Sequence, residues 1–165
     1  MRKKLLPMIS LFAVALLGAV PAADAAFVQS ALKSGNDEVN RAAVQANSTD
    51  YIVRQYAGKM TTDHQVANQA LFAIATRKGI DTGAVPPQPR MNGTTPAPRP
   101  SPALSPIAYF RLEVRAHRQA IALFQKERAS GGDADLRAYA AHNLPILRAH
   151  LQLAEKYLAV EEKRR

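Results

Sequence analysis

The sequence predicts an all-α fold, an antiparallel four-helix bundle, and three observations carry that expectation. Apolar residues recur at spacings of three and four through four separate stretches, capping and stop residues bound those stretches, and two connections are short while the middle one is long and rich in proline.

The first stretch, Phe27 to Ala46, places Leu32, Gly35, Val39, Ala42 and Ala46 on one helical face. Ser34-Gly35-Asn36-Asp37 also reads as a turn, but the stripe continues on both sides of it without a proline. Gly35 therefore marks a point where a neighbouring helix comes close. Asn47-Ser48-Thr49-Asp50 follows with side-chain oxygens suited to the unpaired amides of a first turn, so a second helix starts near Asp50. Its stripe runs through Val53, Tyr56, Met60, His64, Ala67, Leu71 and Ile74, and Gly79 is its stop.

Between Val85 and Pro106 the composition changes, and eight of the chain's eleven prolines fall there. Such a stretch builds no core. It reads as an extended linker crossing the bundle from end to end, or secondarily as a docking strip for a partner. Ser105 and Pro106 then open a third helix, serine as cap and proline in the first turn. Ile107, Phe110, Val114, His117, Ile121 and Phe124 form its stripe, and Ser130-Gly131-Gly132 ends it. Asp133 or Asp135 starts the fourth helix, whose stripe is Leu144, Leu147, Leu151, Ala154 and Leu158. Pro145 lies inside this helix and His150 lies one position beside the stripe. Because proline cannot donate to the carbonyl of Ala141, a kink that turns His150 inward is expected. Residues 159–165 read as a charged, frayed tail.

The N-terminus sets the compartment. Arg2, Lys3 and Lys4 precede an apolar run from Leu5 to Val20, and Ala23-Asp24-Ala25 fits a signal peptidase site. Residues 1–25 are thus expected to be a signal peptide, leaving a bundle domain over 26–158 with its linker at 85–106. No later apolar run is long enough to span a bilayer, so no transmembrane segment is expected after cleavage. The formal charge of +9 becomes +7 in the cleaved chain and is scattered rather than clustered. That pattern fits weak association with an anionic cell envelope and argues against nucleic acid as a partner. The absence of cysteine excludes disulfides, thiol catalysis, zinc–thiolate sites and a lipoprotein anchor.

Glu38, His64, His117 and His150 contribute one polar side chain per helix, each on or beside an apolar stripe. Counted at about 1.5 Å per residue along antiparallel helices, His64 and His117 fall at one level, with Glu38 and His150 up to a turn or two away. Glu113, one turn before His117, is a further candidate. Imidazole and carboxylate donors suit zinc, iron or copper, and bundles hold such ions between facing helices. The plainer reading, in which each histidine is a hydrogen-bonded core or half-exposed residue, takes precedence at this stage. Asp63 points about 100° away from His64 on its helix and is expected to orient or solvate rather than bind. His142 is expected to face solvent. The paired Glu-x-x-His motifs of di-iron carboxylate proteins are missing, and there is no nucleophile elbow or glycine-rich phosphate loop.

Several strings together resemble domain-of-unknown-function family 4142. They are Met60-Thr61-Thr62-Asp63-His64, the spacing from Tyr109 to Ala116-His117, Ala122 through Glu127, and above all Leu144-Pro145-x-Leu147-x-x-His150-Leu151. The resemblance covers nearly all of Phe27 to Leu158. It departs at Pro106, where the family usually carries an aspartate, and in the proline-rich connection. It implies an exported bacterial protein of ferritin-like fold, periplasmic or envelope-associated, in a family with no assigned reaction. Three functions remain open: a non-enzymatic bundle with a polar or metal-binding core, a metal-dependent redox or hydrolytic enzyme using the same residues, and an envelope interaction module. The first leads, and the sequence leaves the oligomeric state open.

Overall fold

A computed structural model of the chain describes residues 21–83 and 103–164. The expected apolar run from Leu5 to Val20 and most of the proline-rich connection lie outside the described residues. Four helices follow one another, α1 (Ala22–Gln45), α2 (Tyr51–Lys78), α3 (Pro106–Ser130) and α4 (Ala134–Lys163). The chain is an all-α four-helix bundle. No helix among the described residues is long and apolar enough to cross a membrane.

Local chemistry sets the helix ends. Asp50 accepts from the Val53 amide at 3.1 Å, and Ser105 stands as cap before Pro106. Asp133 accepts from the amides of Asp135 and Leu136 at 2.9 and 3.1 Å, which settles the start of α4 in favour of Asp133. Gly79 closes α2 in the left-handed conformation, φ 64°, where a side chain would be strained. All four boundaries coincide with the sequence expectation, Asp133 being one of its two candidates, while α1 begins earlier than Phe27. Its first turn brings in Asp24, fully buried, whose two oxygens accept from the amides of Gly132 and Asp133 at 2.9 and 2.6 Å. A cut after Ala25 would remove that contact. At the other end the regular helix of α4 continues to Lys163 rather than fraying after Leu158, and Arg164 there ties Glu161 to Asp50 across the bundle end.

Ring contacts give the helix directions. Tyr56 meets Tyr109 at 5.9 Å and His64 meets His117 at 5.6 Å, so α2 and α3 run the same way. The end of α2 and the start of α3 therefore lie at opposite ends of the bundle, about 42 Å apart for a 28-residue helix at 1.5 Å per residue. The other neighbours are antiparallel: Phe27 packs on Phe124 at 5.2 Å while Arg41 reaches Glu113 from the other end of α1, and the Tyr139 hydroxyl donates to the Ala67 carbonyl between α4 and α2.

The core divides into two apolar clusters along the bundle axis. One contains Phe27, Leu32, Leu71, Phe124, Leu136 and Leu144; the other contains Val53, Tyr56, Met60, Tyr109, Phe110 and Ala154. Each large apolar side chain so buried contributes roughly 1.5–3 kcal/mol. On every helix a candidate polar residue falls between the two clusters: Glu38 on α1, His64 on α2, His117 on α3 and His150 on α4, with Glu113 inside the second cluster next to Val114. A polar layer is thus clamped between two dry ones. Pro145 does not break α4, and both it and Ala141 are exposed, so water can serve the carbonyl that proline leaves without a donor.

Candidate metal centre

The helices bring all three candidate histidines together. His64 and His150 have ring centroids 5.4 Å apart, His117 and His150 5.3 Å, and His64 and His117 5.6 Å. The level count correctly paired His64 with His117 but set His150 too far away. Counted from the α3–α4 turn, His150 is only about three residues, or about 4.5 Å, out of step with His117. A side chain spans that offset. Glu38 comes within 4.8 Å of the donor atoms of Glu113 and His117 rather than joining the three histidines.

Each imidazole presents a nitrogen to this meeting point. His64 Nε2, His117 Nε2 and His150 Nδ1 are buried and have no hydrogen-bond partner. The opposite nitrogens of two rings are committed elsewhere. His117 Nδ1 lies 3.0 Å from the carbonyl oxygen of Glu113, and His150 Nε2 lies 2.8 Å from Asp63 Oδ2. Both partners can only accept, so both of those ring nitrogens carry the hydrogen and donate it. The remaining nitrogens, His117 Nε2 and His150 Nδ1, are left as lone pairs.

Electrostatics keeps the three rings neutral. Burial lowers His64 most, to about 3, with the neighbouring His117 and His150 adding to the effect against the pull of Glu38. Burial also lowers His117 and His150, although the Asp63 hydrogen bond works against it at His150. Asp63 itself is held below the usual carboxylate range: its burial acts upward, but hydrogen bonds from Lys59 and His150 outweigh it. Asp63 therefore orients, as the sequence suggested, and His142 is exposed.

Glu38 and Glu113 form an adjoining group. Arg41 donates through Nε to Glu113 Oε1 at 3.2 Å and pairs through its other arm with Glu38 Oε2. Burial first, then the nearby Glu38 charge, raises Glu113 to about 10, so it holds its proton at neutral pH. At Glu38 burial acts in the same upward sense, but the hydrogen bond from Glu113 and the charge of Arg41 bring it below the usual value. Arg41 escaped the sequence reading; its only signal was the Glu-x-x-Arg spacing that puts it one turn from Glu38.

The donor atoms of His64, His117 and His150 all lie within 4.8 Å of one another. Around a tetrahedral ion with metal–nitrogen bonds of about 2.0–2.1 Å, such atoms are roughly 3.3 Å apart. The rings thus need to close by no more than about 1.5 Å. A cavity of about 30 Å³ reaches His64 and His150 between Gly35, Asn68, Phe124 and Asn143, enough to admit one water.

The model of the family described as "Domain of unknown function (DUF4142)" matches residues 13–157. No curated protein matches the chain. Among solved structures, the chain is similar to the "Crystal structure of DUF305 fragment from Deinococcus radiodurans", with a TM-score of 0.67 at 18% identity over 86% of this chain and 99% of that one. A likeness at that identity speaks for the fold alone.

Proposed function

Because the chain belongs to the DUF4142 family, whose description assigns no activity, we propose a function from its core: it is a metal-binding helical bundle in which His64, His117 and His150 hold one divalent transition ion. The observation that carries this reading is the convergence of three buried imidazole nitrogens without any partner. Leaving a buried polar atom unpaired costs about 1–3 kcal/mol, and three such atoms facing one point are a large cost for a structural core. The plainer reading, three hydrogen-bonded core histidines, would need a partner for each of these three nitrogens.

Three neutral imidazoles with no thiolate favour zinc or copper(II) over calcium or magnesium, and ferrous iron binds such nitrogens more weakly. Three protein ligands leave a fourth position for water, and the small cavity beside His64 and His150 has room for it. The site fits holding an ion. In this reading the protein works outside the cytoplasm, which the basic and apolar N-terminus and its Ala23-Asp24-Ala25 motif support, and its scattered positive charge favours weak contact with an anionic envelope.

The test is metal analysis of the purified full chain after incubation with one equivalent of zinc(II) and gel filtration. One retained ion per chain is expected, and its loss in His64→Ala and His150→Ala. Wild-type protein that retains no zinc(II) or copper(II) would overturn the reading, as would full retention in both variants.

A further inference from the structure

Beside His117 stands a second set of donors that the three-imidazole site does not use. Glu38 is 2% exposed, Glu113 and Tyr109 are 0% exposed, and Arg41 closes their outer edge. Beyond the hydrogen bond that Glu113 gives Glu38, Glu38 Oε1, Glu113 Oε2 and the Tyr109 hydroxyl receive none from another residue. Tyr109 and Glu113 are four residues apart on α3 and so share one face. The donor atoms of Glu38, Glu113 and His117 lie within 4.8 Å of one another. Arg41 offsets the charge of Glu38, and Glu113 holds a proton that a bound cation would displace. Well-packed apolar residues at these positions would be as stable or more so, so the group has no evident purpose as a fold element.

We propose that Glu38, Glu113 and Tyr109 form a second cation subsite, for an ion of the manganese(II) or iron(II) class, with His117 as the wall between it and the three-imidazole site. Carboxylate and phenol oxygens select harder ions than imidazoles do. Metal–oxygen bonds of about 2.0–2.2 Å set donors roughly 3 Å apart, a modest closure from the separation observed. Arg41, fixed on the outer carboxylate oxygens, keeps the inner ones directed toward the ion. The inference goes beyond the single-ion reading above and shares only His117 with it.

The test uses the full chain, loaded with one equivalent of zinc(II) and then titrated with manganese(II). Uptake is read as loss of the free manganese(II) resonance in electron paramagnetic spectra, and zinc is counted in parallel. One manganese ion per chain is expected. Glu38→Gln and Glu113→Gln are expected to weaken it about ten-fold or more while zinc stays bound, and Tyr109→Phe, a milder change, to weaken it less. His64→Ala is expected to release zinc and keep manganese. Wild-type protein that takes up no manganese(II) overturns the proposal without recourse to any variant; so does unchanged manganese affinity in whichever glutamine variant folds. Zinc lost with manganese retained would remove the three-histidine site and leave this one standing, and the reverse result would do the opposite.

Discussion

His150 and Asp63, far apart in sequence and on different helices, meet at 2.8 Å between Nε2 and Oδ2, and this contact decides which nitrogen of His150 faces the core. The carboxylate takes the ring hydrogen at Nε2, leaving Nδ1 as a lone pair beside His64 and His117. Lys59 holds the same carboxylate oxygen from one turn earlier on α2, at 2.7 Å. The hydrogen-bond chain Lys59–Asp63–His150 is therefore ordered from the surface inward.

Asp63→Asn is expected to weaken zinc(II) binding about 10–100-fold, the usual range for the loss of a ligand's supporting partner. Asparagine can present its amide to the ring and invert the hydrogen bond, which would favour the wrong tautomer. Competition with a chelator of known affinity measures the change. The fold should survive, because Asp63 is only partly buried. Unchanged zinc affinity in a folded Asp63→Asn protein would show that Asp63 does not set the ring.

The pH dependence of stability gives a test away from the histidines. Glu127, 5% exposed, has an Oε1 without a partner under the α3–α4 turn. Burial first, then the facing Asp24 and Asp133, raises it to about 7, against the opposing pull of Arg137. The folded state therefore holds this proton more tightly than the unfolded chain. Its contribution is fully present below the ordinary glutamate value of about 4.3 and is lost as pH rises through about 7. Thermal melts between pH 5 and pH 8 should show Glu127→Gln gaining relative to wild type as pH rises. Parallel curves for the two proteins would contradict this assignment.

Gly35→Ala is expected to destabilise the bundle although alanine is the better helix former by up to about 1 kcal/mol. A Cβ at this position would sit 2.0 Å from Asn68 Oδ1, and Asn68 is itself buried and donates to Asn36 at 2.8 Å. Relief needs either a broken amide pair or a shift of α1 from α2, costing about 1–3 kcal/mol. Urea denaturation should show a net loss of stability; a more stable Gly35→Ala protein would mean that Asn68 moves freely.

Much of the architecture was legible because it is written in local chemistry. Asp50, Gly79, Ser105 and Asp133 act on amides or carbonyls within a turn of themselves, so their roles follow from residue type and position. Gly35 was readable for a related reason: a glycine inside an apolar stripe has a use only where another backbone or side chain approaches. Pro145 stays inside α4, as its place within the apolar stripe implied, because the helix is held by burial on its other face. The start of α1 was misplaced because the partners of Asp24 are the amides of Gly132 and Asp133, more than a hundred residues along the chain.

By itself, the sequence determined four helices, their caps, and one polar side chain per helix set into an apolar stripe, since periodicity and capping are properties of neighbouring residues. Only the tertiary structure decided that three imidazoles share one level, that Glu38 joins Glu113 and Arg41 instead, and that Asp63 orients His150. Those outcomes depend on the relative height and rotation of packed helices, where a shift of about 1.5 Å per residue changes which groups touch. No spacing along the chain records that alignment.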